Sequence, residues 1–174
     1  MAGEKPKQVF VSYSDKNRDF AQRLIDNLRG SGITANSGLD SEISKVPGLH
    51  RNSLIWMDAL RRAIKDADAY VVLVGPEIGE WQRREWQLAL EETWEHPAKQ
   101  FIPVLLDHAN PPPFLSEYQS VIVDDSEEGD AAQSVLRSLR HGNPAAVSYK
   151  ASDEWKKRLD YIGKVAVGIK KFNA

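Results

Sequence analysis

The chain has no cysteine among its 174 residues. That absence excludes a disulfide framework, every thiolate metal site and every cysteine nucleophile. It fits a cytoplasmic setting. Charge of one sign is lacking too: 23 Lys and Arg against 25 Asp and Glu leave a formal net charge of −2. A nucleic-acid binder usually shows a basic face, so no nucleic-acid partner is expected. No apolar run approaches the ~20 residues of a membrane span, so no membrane partner is expected either. The polar start from Met1 to Gln8 has no signal-peptide apolar core behind it. There is no Asn-x-Ser/Thr sequon, internal repeat or low-complexity block. With 41% hydrophobic and 28% charged residues, the chain reads as ordinary globular usage, one domain of roughly 100–150 residues plus an extension.

Several chemical signatures are also missing. There is no Gly-x-x-x-x-Gly-Lys-Ser/Thr phosphate loop and no Gly-x-Ser-x-Gly elbow. Gly30-Ser31-Gly32-Ile33-Thr34-Ala35 fits Gly-x-Gly-x-x-Ala, but it leaves a helix and opens a strand. A dinucleotide fingerprint does the reverse, so this one reads as a helix stop. His50, His96, His108 and His141 lie far apart, and no metal site is expected. A phosphoacceptor domain would want an Asp at the end of the third strand, which here runs out as Val74-Gly75-Pro76.

What is present alternates strand and helix. Gln8 to Ser12 is a short β-branched run suited to a strand buried on both faces. Ser14 and Asp15 offer N-caps to a helix carrying Phe20, Leu24 and Leu28 on one stripe. Gly30 and Gly32 stop it, and a second strand spans Ile33 to Asn36. Residues 37–52 read as a long loop. Trp56, Leu60, Ala63 and Ile64 predict a helix from about Asn52 to Asp66. Ala69 to Val74 is the strongest strand, Glu80 to Glu95 a third helix, and Phe101 to Leu106 a fourth strand, with Pro103 expected near its start. Pro111, Pro112 and Pro113 predict an extended loop, Ser120 to Val123 a fifth strand, and Ala131 to Arg140 a helix.

This order predicts an α/β fold: a flavodoxin-like, doubly wound, five-stranded parallel sheet of order 2-1-3-4-5 with helices on both faces. A ligand crevice is then expected beyond the carboxyl ends of strands one and three, where the winding reverses. It would be bordered by the loop from Tyr13 to Asp15 and by the segment from Gly75 to about Glu85. In that segment Trp81 and Glu85 are i and i+4 and share a helix face, leaning toward the helix N-terminus and hence the crevice. Leu88 and Ala89 continue their stripe, so Glu85 sits beside the apolar face. A solvated acid paired with arginine and a core tryptophan are the plain alternatives.

Gln8-Val9-Phe10-Val11-Ser12-Tyr13-Ser14, with Asp15 and Phe20 after it, resembles the first box of TIR (Toll/interleukin receptor) domains, especially the bacterial type. Pro47-Gly48 resembles the Pro-Gly of the family's long loop. Trp56, Leu60, Ala63 and Ile64 match its second helix, Trp81-x-x-x-Glu85 its third-helix motif, and Phe101-Ile102-Pro103-Val104 its fourth strand. The resemblance covers about residues 8–140. It implies a TIR domain over residues 1–142, with 143–174 a helical extension or a linker to a further domain. It also implies cleavage of NAD+ at the nicotinamide–ribose bond, with Glu85 at the catalytic position. Trp81 would edge the nucleotide pocket, with Tyr13, Ser14 and Gly75 lining it. NAD+ would be a substrate, with no cofactor, and self-association through TIR–TIR contacts is implied.

The stretch from Gly48 to Trp56 is longer than the family's, by several residues including Leu49-His50-Arg51-Asn52, so no contact of this loop is carried over. Asp40 and Glu42 read as solvated loop acids, and Lys156, Lys157, Arg158, Lys164, Lys170 and Lys171 as a solvated basic face. Arg83 and Arg84 lean toward a diphosphate substrate. Two rival readings stand: a TIR scaffold without chemistry, and a nucleotide N-glycosidase or deoxyribosyl-transfer enzyme on a similar sheet.

Overall fold

The computed structural model describes residues 7–37, 54–107, 109–115, 118, 120–123 and 128–141. Asp40, Glu42, Pro47, Gly48 and the extension 143–174 lie outside the described residues. The elements are β1 (Gln8–Ser12), α1 (Arg18–Gly30), β2 (Thr34–Ser37), α2 (Leu54–Asp66), β3 (Ala69–Val74), α3 (Glu80–Glu95), β4 (Gln100–Leu106), β5 (Val121–Val123) and α4 (Glu128–His141). All strand pairings are parallel, in the order β2-β1-β3-β4-β5. The doubly wound sheet expected from the sequence is thus the fold observed, and β1 and β3 are neighbours at the point where the winding reverses.

Side chains alternate across the strands and split the core into two layers. Val9, Val11, Val71, Leu73, Ile102 and Val104 pack under α1 and α4 with Leu24, Leu28, Val135 and Leu139. Phe10, Tyr70, Val72, Val74 and Phe101 pack under α2 and α3 with Trp56, Leu60, Trp86 and Leu90. Each fully buried Leu, Ile or Phe contributes about 1.5–3 kcal/mol relative to exposure. β3 is buried at all six positions because both faces are covered. Tyr70 brings a hydroxyl into this core and donates it to the Ile64 carbonyl at 2.6 Å. Burial, then Glu92 and Asp68, hold its phenol protonated well above the usual tyrosine range. Among the described residues no helix is long and apolar enough to cross a membrane.

Local departures from the expected elements have physical causes. Asp15–Asn17 form a 3₁₀ turn before α1, and neither Ser14 nor Asn17 caps through its side chain. Asp15 accepts from Arg18 at 2.7 Å instead. α1 ends at Gly30, and Gly32 takes φ +83°, letting the Gly32 and Ile33 amides return to Arg29 and Leu28. Pro103 sits fourth in a seven-residue strand rather than near its start. β5 joins β4 only from Val104 onward, so as far as Pro103 the strand is paired on the β3 side alone. On that open side a missing N–H breaks no ladder bond. Instead of staying extended, the proline run turns into a 3₁₀ segment, Pro113–Leu115, that buries Leu115.

Candidate functional site

The site is assembled where β1 ends beneath α3. Val9 and Val11 face α1 and α4 while Phe10 faces α2 and α3, so Ser12, in step with Phe10, turns its side chain toward α3. Its hydroxyl donates to Glu85 Oε2 at 2.5 Å, with both residues buried. That length lies in the range of charge-assisted O–H···O⁻ bonds. Glu85 is only 8% exposed. A carboxylate drawn out of water needs donors, and Ser12 is one. Sequence reasoning missed Ser12 as a site residue because it reads as the last residue of a strand. Its parity with Phe10 was the available signal.

The buried stripe of α3 is Gln82, Glu85, Trp86, Ala89 and Leu90. The expected stripe of Trp81, Glu85, Leu88 and Ala89 is therefore rotated by about one residue, or ~100°. Glu85 lies at the edge of the buried face, 8% exposed against 2% or less for the other four. Gln82 belongs to that face: it is 2% exposed and donates Nε2 to the Leu73 carbonyl of β3 at 2.5 Å. A polar residue takes an apolar position because a strand carbonyl satisfies half of its amide. Its Oε1 and the Trp86 indole N–H have no hydrogen-bond partner among the described residues.

Trp81 is half-buried, edge-on to Trp56 of α2 with ring centroids 5.1 Å apart. The Arg84 guanidinium lies 5.1 Å above the Trp81 ring, and this cation–π contact takes the place of an ion pair to Glu80 or Glu85. Arg83 is exposed. Two aromatic rings and one cation thus border the α3 face that carries Glu85.

The loops after β1 and β3 meet across the switch point. Asn17 donates Nδ2 to Ser14 Oγ at 3.2 Å and packs against Gly75. A Cβ at Gly75 would stand 2.6 Å from Asn17 Nδ2, so a larger residue there would push the Asn17 amide aside. Lys16 and Glu77 add an exposed ion pair between the same loops, the kind worth little in water. Tyr13 packs half-buried against the α1–α4 layer, in step with Val11 and on the other face of the sheet from α3. Ser14, Asn17 and Gly75 are therefore brought together, as are Ser12 and Glu85, whereas Tyr13 is directed elsewhere.

One group of metal-ligand type occurs among the described residues. Glu92, Glu95 and His96 place donor atoms within 4.8 Å of one another at the far end of α3. Lys99 already sits on Glu92 at 3.1 Å and neutralises it, and Glu92 lies about 10 Å along the helix from Glu85.

A doubly wound α/β domain with a buried carboxylate over the ends of its reversing strands is the class of protein these features define. The family follows from its sequence. The model of the family described as TIR domain matches residues 9–136, and the chain belongs to the TIR domain family. Among solved structures, the TIR domain of the Toll-related receptor TRR-2 from Hydra magnipapillata is similar at TM-score 0.59 and 18% identity, over 76% of this chain and 98% of that one. The CMP N-glycosidase BcmB of Clostridium botulinum is similar at TM-score 0.55 and 16% identity, over 76% of this chain and 100% of that one. The RPS4 and RRS1 TIR domain heterodimer is similar at TM-score 0.55 and 14% identity, over 77% and 96%. At these identities the likeness is one of fold. A sequence comparison with curated proteins gave no match.

Proposed function

We propose that this TIR domain is an NAD+ nucleosidase that releases nicotinamide and leaves ADP-ribose or a cyclic isomer. The observation that carries the reading is the Glu85 carboxylate, buried on α3 and held by Ser12 at the carboxyl end of β1. Trp81 stands one turn before it.

The chemistry asks little more of a protein. The nicotinamide of NAD+ is a cationic pyridinium. When its bond to the ribose anomeric carbon breaks, the electron pair returns to the ring nitrogen and nicotinamide leaves neutral, with no general acid. The sugar passes through an oxocarbenium-like state, as in glycoside cleavage. A carboxylate in a site shielded from water stabilises that charge, holds ribose hydroxyls or orients the attacking group. If water attacks, its oxygen bonds to the anomeric carbon, its proton passes to solvent and ADP-ribose results. If an atom of the same nucleotide attacks, ring closure is favoured by proximity.

Family membership supports the reading, since the resemblance implies that Glu85 occupies the catalytic position. A role in bacterial antiphage or stress signalling, in the cytoplasm and through TIR–TIR self-association, comes with that resemblance. The heterodimer of two other TIR domains agrees with the last point. A second reading draws on the shared fold with a CMP N-glycosidase: the same carboxylate would act on a nucleoside monophosphate.

The test is incubation of concentrated protein with NAD+ and, separately, with CMP, followed by separation of the products. Nicotinamide release by the native chain, and none by Glu85→Gln, is expected. Cytosine release alone would favour the second reading. Release of neither base, even when the domain is clustered, would favour a scaffold.

A further inference from the structure

We propose that Ser12 is a positioning residue for Glu85, fixing the carboxylate against the end of β1 so that it meets the ribose in one orientation. This rests on the nucleosidase reading and assigns a role to a residue outside the crevice loops. A glutamate side chain on a helix has several free torsions, and burial alone does not choose among them. Ser12 supplies a fixed partner: its backbone is locked in the sheet in register with Val72, the residue is 2% exposed, and its hydroxyl reaches Glu85 Oε2 at 2.5 Å. The bond spans 73 residues of sequence, joining a central strand to the second turn of α3. Gln82 fixes the same helix one turn earlier, through the Leu73 carbonyl at the end of β3. Two neighbouring strands thus set the height and the rotation of the carboxylate-bearing turn. Groups held this way keep productive geometry without reorganising during the reaction.

The experiment compares Ser12→Ala, Ser12→Cys and Ser12→Thr in nicotinamide release from NAD+. Cysteine nearly keeps the volume but is a weak donor, whereas threonine keeps the hydroxyl. Loss of a hydrogen bond to a charged group corresponds to about a ten- to hundredfold fall in kcat. That fall is expected in both Ala and Cys, with KM changed by less than about threefold. Threonine should restore most of the rate. Thermal unfolding of each variant, read beside the rates, identifies loss through misfolding.

An unchanged kcat in Ser12→Ala with an active parent would overturn the role of Ser12 and leave the nucleosidase reading intact. A raised kcat would also overturn it, and would make the bond a restraint on Glu85. No nicotinamide release by the native chain would overturn the nucleosidase reading and, with it, this role in that reaction. A cycle of Ser12→Ala and Glu85→Gln on unfolding would then show whether the bond itself forms.

Discussion

Gln82 offers a test of how α3 is held. Its amide is buried, its Nε2 is bound to the Leu73 carbonyl at 2.5 Å, and its Oε1 has no partner among the described residues. Gln82→Met keeps nearly the same volume and removes both polar atoms. Losing the one bond leaves the Leu73 carbonyl without that donor and costs about 1–3 kcal/mol, and removing a buried unpartnered oxygen returns about 1–3 kcal/mol. The two effects offset, and the net change should stay within about 2 kcal/mol of zero. Gln82→Ala removes the same polar atoms but leaves a void, and should cost roughly 2–4 kcal/mol more than the Met variant. Urea unfolding followed by tryptophan fluorescence separates the two. For a chain of this size a change of 1 kcal/mol moves Tm by about 2–4 °C. A loss above about 3 kcal/mol in Gln82→Met would refute the reasoning, because it would mean that Oε1 is satisfied in solution.

Two further outcomes follow from the packing. Because the Tyr70 phenol is held above its ordinary value by burial, Glu92 and Asp68, its contribution is complete below pH ~10, the unfolded value. Above that pH the unfolded chain loses the proton while the folded chain keeps it, so stability falls; Tyr70→Phe should flatten that decline in urea midpoints from pH 8 to 11, and parallel declines would contradict it. Gly75→Ala should displace Asn17 from Ser14 and cost about 1 kcal/mol, with Asn17→Ala in the same chain recovering part of the loss; strict additivity in denaturant unfolding would disprove the contact.

The fold was legible because two-sided burial leaves a plain mark. Ala69 to Val74 is an unbroken apolar run, and only a central parallel strand needs one. The bounds of β1 and α3 were equally readable, since Gly79 and His96 flank α3 with non-helical backbone. Pro103 misled because its position depends on where β5 begins to pair, a tertiary fact with no local sign. At the site, helical spacing put Trp81 and Glu85 on one face of α3, and their functional roles came from the family resemblance rather than from spacing. Gln82 did not, since a polar residue on a buried face is explained only by the Leu73 carbonyl it meets. Tyr13 and Ser12 are adjacent, and the alternation that turns Ser12 toward α3 sends Tyr13 to the other layer. A resemblance box carries both residues together, whereas strand geometry divides them.

The seating of Asn17 against Gly75 has a dynamic consequence. Two segments separated by more than fifty residues of chain meet there with no room for a side chain between them. A molecule that displaces the Asn17 amide reaches both segments at once, and chemical shifts of Ser14 and Gly75 would then change in concert as it binds.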